Sequence, residues 1–427
     1  MKKFFLFLII FIYLKPVQAQ DMIYYIKSAY ENNPKLNAER QKLKSVKEKI
    51  NISISEFLPS VTLSGDISST HSTNRTNQLG ENLPDSNTDT ETKKFSVEQK
   101  IFQGFSGLNS LKKSRLEFEK SNFELKQKEQ DIIIDASKAY LDLIYNNQNK
   151  NFNLSNVDLF ERQVESDGAR AQKGEITLTD LAQSESSLAG ANAKLIAAET
   201  ELLTANAEFE RITKAKIPLN PLKPNELKLN LPNSLNEAIN IAKKDNPQLI
   251  IAKINYEISK RNLEIEKASL SPKASLNYSR SENDDFSASV DEIDEESLKA
   301  TITWPLIKGG KNYSSIKKSK FEKEQNKLIL EDVENEVKTK TANFWSKYQS
   351  SKSILISTAS QLKAAEIANE GITLEYDSGD SRTTLEVIQS RSLLLDARIA
   401  HAKSERDFVI SQFELLAQLG GLSINIF

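Results

Sequence analysis

The chain has 427 residues, of which 27% are charged; its formal net charge is −2, and it contains no cysteine and two histidines. Without cysteine, neither a disulfide framework nor a thiolate metal site is possible, and the nearly balanced charge lacks the basic footprint of a nucleic-acid-binding protein. His71 lies in a polar segment and His401 in a charged helical one, so a zinc site or a Ser-His-Asp triad has almost no residues to draw on. We therefore expect no cofactor, no nucleic-acid partner and no enzymatic activity.

The amino-terminal segment has the pattern of a secretory signal peptide. Lys2 and Lys3 precede an apolar run from Phe4 to Leu14, and Val17-Gln18-Ala19 forms a small-residue cleavage site. The apolar run is shorter than the roughly 20 residues that a transmembrane helix needs. We expect residues 1–19 to be a signal peptide that directs export, and no later apolar stretch is long enough to predict a transmembrane helix.

The rest of the chain repeats itself, which predicts two similar structural halves. We assign residues 20–216 and 233–427 to the two halves, and the proline-rich segment 217–232 to an extended linker, because a helix cannot continue through its prolines. The clearest matches are Asn33–Leu36 with Asn246–Leu249, Pro59–Leu63 with Pro272–Leu276, and Ile101–Gly104 with Leu306–Gly309.

Each half contains two segments in which apolar and polar residues alternate with a period of two. They lie at about 61–70 and 94–103 in the first half, and at about 273–280 and 297–307 in the second. Segments near ten residues long with this alternation are typical of strands in outer-membrane barrels, although half-buried strands of soluble proteins look alike. Their equivalent positions in a duplicated, exported chain favour the membrane interpretation.

A hydrophilic stretch separates the two strands of each pair. His71 to Thr92 is rich in Ser, Thr, Asn and Asp, and Ser281 to Glu296 holds eight acidic residues. We expect both stretches to be extracellular loops. For the acidic one, a solvated loop is preferred over a cation site.

Long intervals without proline follow each strand pair, and they predict helical hairpins at about 107–214 and 312–419. The first helix, to about Gln172, would be about 100 Å long. Apolar residues recur in it every seven positions, which predicts coiled-coil packing along a narrow seam. The residues of this seam are Leu111, Phe118, Leu125, Ile132 and Ala139.

Four strands in one chain are too few to close a barrel. Closed outer-membrane barrels begin at about eight strands, and an open sheet edge cannot face lipid, where unpaired backbone groups are very costly. Two chains would give eight strands and three would give twelve, with room for a channel. We expect a symmetric homotrimer.

Five segments of the sequence carry a resemblance to a known family: Ala29–Leu36, Phe57–Val61, Ile101–Gly104, Gly174–Gln183 and Leu415–Gly420. Through them the chain resembles the TolC family of outer-membrane channel proteins over essentially its whole length after the signal peptide. This resemblance implies a mixed α/β membrane protein, in which three chains form a twelve-stranded outer-membrane β-barrel and a periplasmic tunnel of helical hairpins. It further implies docking to a periplasmic adaptor protein and to an inner-membrane transporter of the ABC or proton-driven kind.

The resemblance also implies roles for residues at the two hairpin tips, about 171–180 and 376–386. Asp180 and Glu386 would narrow the pore entrance as inward-facing carboxylates, and Gln389 stands where relatives often carry a second carboxylate. A solvated charge on a helix face is the alternative for both acidic residues. Tyr376 and Arg382 match positions that latch neighbouring helices in the closed state. The adaptor-docking tips would include Gly174, Glu175, Gly379 and Asp380.

Two other classes of protein are alternatives to the channel interpretation. A periplasmic adaptor (membrane fusion) protein also combines coiled-coil hairpins with β segments, but it would not need the duplicated strand pairs. A secreted enzyme lacks catalytic residues in this composition. Within the channel class, the first half looks most like members that serve type I protein secretion, while related members export small toxic compounds; the sequence leaves the exported cargo and the particular pump open.

Overall fold

The computed structural model describes residues 21–224, 229–287, 290–378 and 382–426. The predicted signal peptide, residues 1–19, and the tip residues Gly379 and Asp380 lie outside them. The chain forms two compact units. In chain order its elements are α1 (Met22–Asn32), α2 (Pro34–Ser55), β1 (Ser60–Ser72), β2 (Arg75–Thr76), β3 (Asn82–Leu83), β4 (Ser86–Phe102), α3 (Ser106–Gln172), α4 (Leu178–Thr213), α5 (Leu235–Asp245), α6 (Pro247–Ala268), β5 (Lys273–Ser287), β6 (Val290–Thr303), α7 (Lys311–Asp377), α8 (Thr384–Gln418) and a 3-10 turn (Ile424–Ile426).

The extents predicted for the strands and their loops are partly wrong. β4 begins at Ser86, inside the stretch expected to be a loop, and β5 and β6 take up most of the acidic stretch 281–296. These hydrophilic residues continue the ladder because its hydrogen bonds come from the backbone, whatever the side chains are. The last strand ends at Thr303 and not near residue 307, since Pro305 has no N–H to donate to a ladder.

The second unit, residues 39–125 and 247–336, holds a four-stranded antiparallel sheet with strand order β1-β4-β5-β6. Within the described residues, β1 and β6 each pair along one side only, and β2 and β3 form a small separate ladder. The four-strand count expected from the alternating segments is confirmed for this sheet. In the described part of the chain, neither edge strand has a partner strand on its outer side.

The sheet has one apolar and one polar face, because successive side chains point to opposite sides. One row across the four strands joins Val61, Val97, Tyr278 and Leu298. The row next to it, on the other face, carries only hydroxyl groups: Thr62, Ser96, Ser279 and Ser297. The apolar face is uncovered, with Leu63 79% exposed, Leu298 69% exposed and Ile302 78% exposed.

Helices of the second unit pair along polar contacts. Ser53 on α2 and Ser114 on α3 share a buried hydrogen bond of 2.6 Å. On the surface, Lys42 lies 2.8 Å from Glu124. Exposed ion pairs of this kind contribute at most about 1 kcal/mol, so the small buried residues that let the helices approach matter more for this pairing.

The first unit comprises residues 21–38, 126–246 and 337–426 within the described ranges. Its core includes three buried aromatic rings from three helices: the Tyr25 ring lies 5.4 Å from that of Tyr140 and 5.0 Å from that of Phe209. The Tyr140 hydroxyl donates to the carbonyl of Leu222, 2.9 Å away, and so holds the proline-rich linker. Burial raises the pKa of Tyr140 to about 12, so the hydroxyl keeps its proton at neutral pH.

In each half of the chain, the asparagine of the repeated Asn-Pro motif donates a hydrogen bond to the end of the returning helix. Asn33 Nδ2 donates to the carbonyl of Ile212 at the end of α4, at 3.1 Å, and Asn246 Nδ2 donates to the carbonyl of Gln418 at the end of α8, at 2.7 Å. In both halves, therefore, an early asparagine satisfies a carbonyl that the returning helix would otherwise leave unpaired. The duplication seen in the sequence is thus a duplication of contacts. Within the described ranges, no helix is long and apolar enough to cross a membrane.

Candidate functional site at the hairpin tips

The first tip is a tight turn between α3 and α4. Gly174 has a φ of +74°, a conformation that favours glycine. Its N–H donates to the carbonyl of Ala171 at 3.0 Å, and the next N–H, of Glu175, donates to the carbonyl of Arg170 at 2.9 Å. These bonds end α3, and they place Glu175 with its carboxylate 3.5 Å from Arg170 Nε.

Asp180 caps the helix that leaves this turn. The Thr177 hydroxyl accepts a hydrogen bond from the Asp180 N–H at 3.2 Å, while the Asp180 carboxylate accepts from the Thr177 N–H at 3.0 Å. Thr177 and Asp180 therefore form a capping box at the start of α4. Hydrogen bonds from the side chain and the N–H of Thr177 hold the pKa of Asp180 below its usual range.

Glu386 caps the start of α8 in the way that Asp180 caps the start of α4. Its carboxylate accepts from the Thr383 N–H at 2.8 Å and from the Thr383 hydroxyl at 3.0 Å, which completes a second capping box. Arg382 Nη1 also donates to this carboxylate at 3.0 Å. The Thr383 N–H and the Arg382 guanidinium together lower the pKa of Glu386. Both carboxylates predicted at the pore entrance thus bond to the amino end of their own helix.

Arg382 joins the two helices of the second hairpin. Besides Glu386 it binds Glu375, near the end of α7, with 2.6 Å between Arg382 Nε and Glu375 Oε2. Its described partners therefore both belong to its own hairpin. Gln389, one turn after Glu386, is exposed and lines a groove of about 420 Å³ between α7 and α8, together with Ala365 and Ala368.

Tyr376 reaches from the second hairpin to the first. Its hydroxyl donates to Asp167 Oδ1 on α3 at 2.9 Å and lies 3.1 Å from the Thr384 hydroxyl on α8. Asp167 is fully buried, and it also accepts from the Ser184 hydroxyl on α4 at 2.5 Å and from Gln163 Nε2 at 3.0 Å. One carboxylate thus gathers side chains from three helices, with Thr384 of a fourth helix bonded to Tyr376.

Two arginines accompany this buried carboxylate. The Arg170 guanidinium lies 4.9 Å from the centre of the Tyr376 ring, a cation–π distance. Arg391 is half-buried and donates to the carbonyl of Leu159 at 3.3 Å. Burial lowers the pKa of Arg391, and the charges of Asp377 and then Asp167 oppose that shift. Because an arginine stays charged in proteins, these side chains supply positive charge close to Asp167.

Four residues that complete the Tyr376 contact were not predicted from the sequence: Asp167, Ser184, Gln163 and Thr384. For Asp167 a signal was present. The seven-residue seam of α3 that contains Ala139 continues to Phe160 and then to Asp167, and both of these are buried. A carboxylate on a coiled-coil seam must find donors, so extending the seam would have marked Asp167 as a contact residue.

Long helical hairpins in duplicate and a four-stranded antiparallel sheet are the elements of the outer-membrane channel fold. The crystal structure of the Campylobacter jejuni CmeC outer membrane channel has this fold, with a TM-score of 0.83 at 14% identity, covering 94% of this chain and 85% of CmeC. The sequence profile described as "Outer membrane efflux protein" matches residues 25–213 and 238–421. The chain belongs to this family, and its location is the outer membrane.

Relatives of known name agree with this assignment. Outer membrane efflux protein BepC of Brucella suis biovar 1 is 26% identical over 398 residues, which are 93% of this chain and 84% of BepC. Outer membrane protein TolC of Vibrio cholerae is 22% identical, with 95% of this chain and 92% of TolC covered. The resemblance to the TolC family is therefore confirmed, and these comparisons give no support to the periplasmic adaptor alternative.

Proposed function

We propose that this protein is the exit duct of a tripartite export system, a homotrimer in which three four-stranded sheets complete a twelve-stranded barrel. The observation that carries the proposal is the sheet with two open edges and one apolar face. In lipid each unpaired backbone group costs several kcal/mol, so the edges β1 and β6 need partners. Neighbouring copies supply them, while the apolar face meets lipid and the hydroxyl-lined face meets the channel water.

In this proposal the hairpin tips form the closed end of the duct. Tyr376 joins the second hairpin to the first through buried Asp167, and Arg382 ties α7 to α8. Separating the hairpins breaks hydrogen bonds to a buried carboxylate, which is the kind of two-state contact that a partner can shift by binding one state better. A periplasmic adaptor that docks at Gly174, Glu175 and the second tip, including Gly379 and Asp380, would favour the open state.

The carboxylates of Asp180 and Glu386, repeated by threefold symmetry, would place rings of negative charge at this end and favour cations. Their capping bonds hold them ionised, which supports this role. Gln389 adds no charge to the ring. Energy would come from an inner-membrane transporter of the ABC or proton-driven kind, because the duct itself presents a conduit and no catalytic centre among its described residues.

Two classes of cargo are candidates, small toxic compounds and a protein of a type I secretion system. The names of the family and of its relative BepC concern efflux, which favours small compounds as the cargo. The sequence of the first half looks most like family members that serve type I secretion, so a protein cargo is the second candidate.

Single-channel recording in a planar bilayer tests the proposal. Purified protein should give steady, small, cation-selective openings, and the Glu386→Ala variant should lose part of the cation selectivity. A folded protein that stays monomeric and gives no conductance would contradict the duct. Normal conductance with unchanged selectivity in the variant would keep the duct and remove Glu386 from its entrance.

A further inference from the structure

Three lysines lie on the hydroxyl-lined face of the sheet, at the end where its strands join the helices. Along β5, Lys273, Ser275 and Asn277 share this face, because successive side chains point to opposite sides. Lys100 on β4 is opposite Ser275, and Lys299 on β6 is opposite Asn277, so both share the face as well. All three lysines are exposed in the single chain. We name them the lysine belt; its residues are Lys100, Lys273 and Lys299.

The lysine belt has an excess of positive charge. Among the described strand residues, Glu98 is the one carboxylate on this face at the level of the belt, and it is opposite Asn277. None of the three belt lysines forms an ion pair with a described residue. Farther from the helices, beyond the row of hydroxyl groups, the balance reverses, since Lys94 is accompanied there by Asp66 and Glu295. Positive charge on this face is therefore concentrated at the end next to the helices.

The other face of the sheet is apolar at the level of the belt. Leu298 and Ala300, which flank Lys299 in β6, point to that face together with Leu276 and Ile302. In the proposed barrel that face meets lipid, so the belt lies at the depth of the membrane. Ionisable side chains at this depth face a water-filled cavity or a partner, and they commonly mark the path of a transported ion or solute.

The belt is compact enough for its charges to act together. Along β6 the level of Lys299 and the level of Thr303, which is opposite Lys273, are four residues apart, or about 14 Å at the rise of a strand. The level of Lys100 lies between them. Charges are screened over about 10 Å at 0.1 M salt, so each lysine lies within reach of the field of its neighbours.

We propose that the lysine belt is a binding ring for anions inside the barrel, and that it favours cargo with phosphate, sulfonate or several carboxylate groups. The proposal rests on the trimeric duct proposed above, in which three copies place their belts around one channel. Rings of lysine or arginine are the means by which pores attract anions and phosphate. The belt is opposite in sign to the carboxylates at the hairpin tips, and it acts on cargo that has already passed them.

Block of the channel by a multivalent anion tests the proposal. Inorganic triphosphate is added to each side of a planar bilayer in turn, at 0.1 M salt, while single-channel conductance is recorded. We expect block from the side onto which the barrel opens, and we expect 1 M salt to weaken it, because screening then acts over about 3 Å. In the variant Lys100→Gln, Lys273→Gln, Lys299→Gln the half-blocking concentration should rise at least about tenfold, because the attraction between opposite charges is removed.

Two further variants separate an effect of the belt from a general effect of charge. Lys93→Gln removes a lysine from the opposite face of the sheet, where its ammonium group lies 3.1 Å from Glu91, and it should leave the block unchanged. Glu98→Gln removes the carboxylate within the belt and should lower the half-blocking concentration. A purely structural role of these side chains would not shift the block in opposite directions.

The possible results distinguish the belt from the duct. If the natural protein conducts and triphosphate blocks it and the triple variant equally, the belt is wrong and the duct stands. Equal block together with poor recovery of the triple variant from membranes would assign the lysines to lipid headgroups, which also overturns the belt. If the natural protein gives no conductance, the duct itself fails. Should the triple variant not assemble, Lys299→Gln and Glu98→Gln decide, because the belt requires that they shift the block in opposite directions.

Discussion

At the scale of single residues, the buried carboxylate of Asp167 is the point at which side chains of the two hairpins meet. It receives hydrogen bonds from Tyr376, Ser184 and Gln163, and it is fully buried. A buried carboxylate that loses a donor is costly, whereas an exposed one can turn to water. Loss of one donor should therefore weaken the contact between the two hairpins.

The Tyr376→Phe variant removes the hydroxyl and keeps the ring. We expect the contact between the hairpins to weaken by about 1–3 kcal/mol, because Asp167 loses a donor while it stays buried. In a planar bilayer the variant should open more often or to a larger conductance than the natural protein. Tyr348→Phe on the same helix, away from Asp167, serves as the control. Equal conductance in all three proteins would mean that the Tyr376 bond does not hold the duct closed.

Glu386 gives the start of α8 a defined pH dependence. Its pKa is held below the usual 4.5 by the Thr383 N–H first and by Arg382 next. A lowered pKa means that the cap contributes fully above about pH 4.5 and loses its contribution as the pH falls through the depressed pKa. Hydrogen exchange of the first turns of α8, corrected for intrinsic rates, should show protection falling in that acidic window.

The Glu386→Gln variant should lose this acidic transition, because glutamine still accepts a hydrogen bond but does not titrate. Glu370→Gln, an exposed residue of the same hairpin, should keep it. The same transition in Glu386→Gln and the natural protein would assign it to another group.

At the scale of elements, the sequence predicted the helices better than the strands. The helix predicted to run to about Gln172 ends at the same residue as α3, because Gly174, just beyond it, marks the turn in the sequence. Strand ends were missed because Ser86 and the acidic residues of β5 and β6 pair through their backbone, which leaves no hydrophobic signal. The capping role of Glu386 was readable as Thr-x-x-Glu, but the Tyr376–Asp167 contact joins residues 209 positions apart, and only the folded chain shows it.

The two faces of the sheet are tested by lysine substitutions on neighbouring positions of β6. Leu298→Lys places a charge on the apolar face, and it should destabilise insertion by about 2–4 kcal/mol if that position lies near the membrane midplane. Ser297→Lys points to the hydroxyl-lined face and should insert normally. The amount of folded protein recovered from outer membranes measures both. Equal recovery of the two variants would contradict the assignment of the faces.

At the scale of the whole molecule, the two edge strands of the sheet make the single chain incomplete. Among the described residues, β1 and β6 each have a strand partner on one side only. Because an open sheet edge is very costly in lipid, we expect the chain to be stable in the outer membrane only as part of an assembly that supplies partner strands.

The hydrogen bonds from Asn33 and Asn246 to the ends of the returning helices have a consequence for how the polypeptide folds as it is made. Asn33 and its acceptor are 179 positions apart, and Asn246 and its acceptor are 172 positions apart. Synthesis runs from the amino end, so each donor emerges long before the carbonyl that it holds, and neither half closes until its returning helix is complete. Contacts this distant in sequence form slowly, so each half of the chain stays open, with its core residues exposed, for as long as its returning helix is still being made.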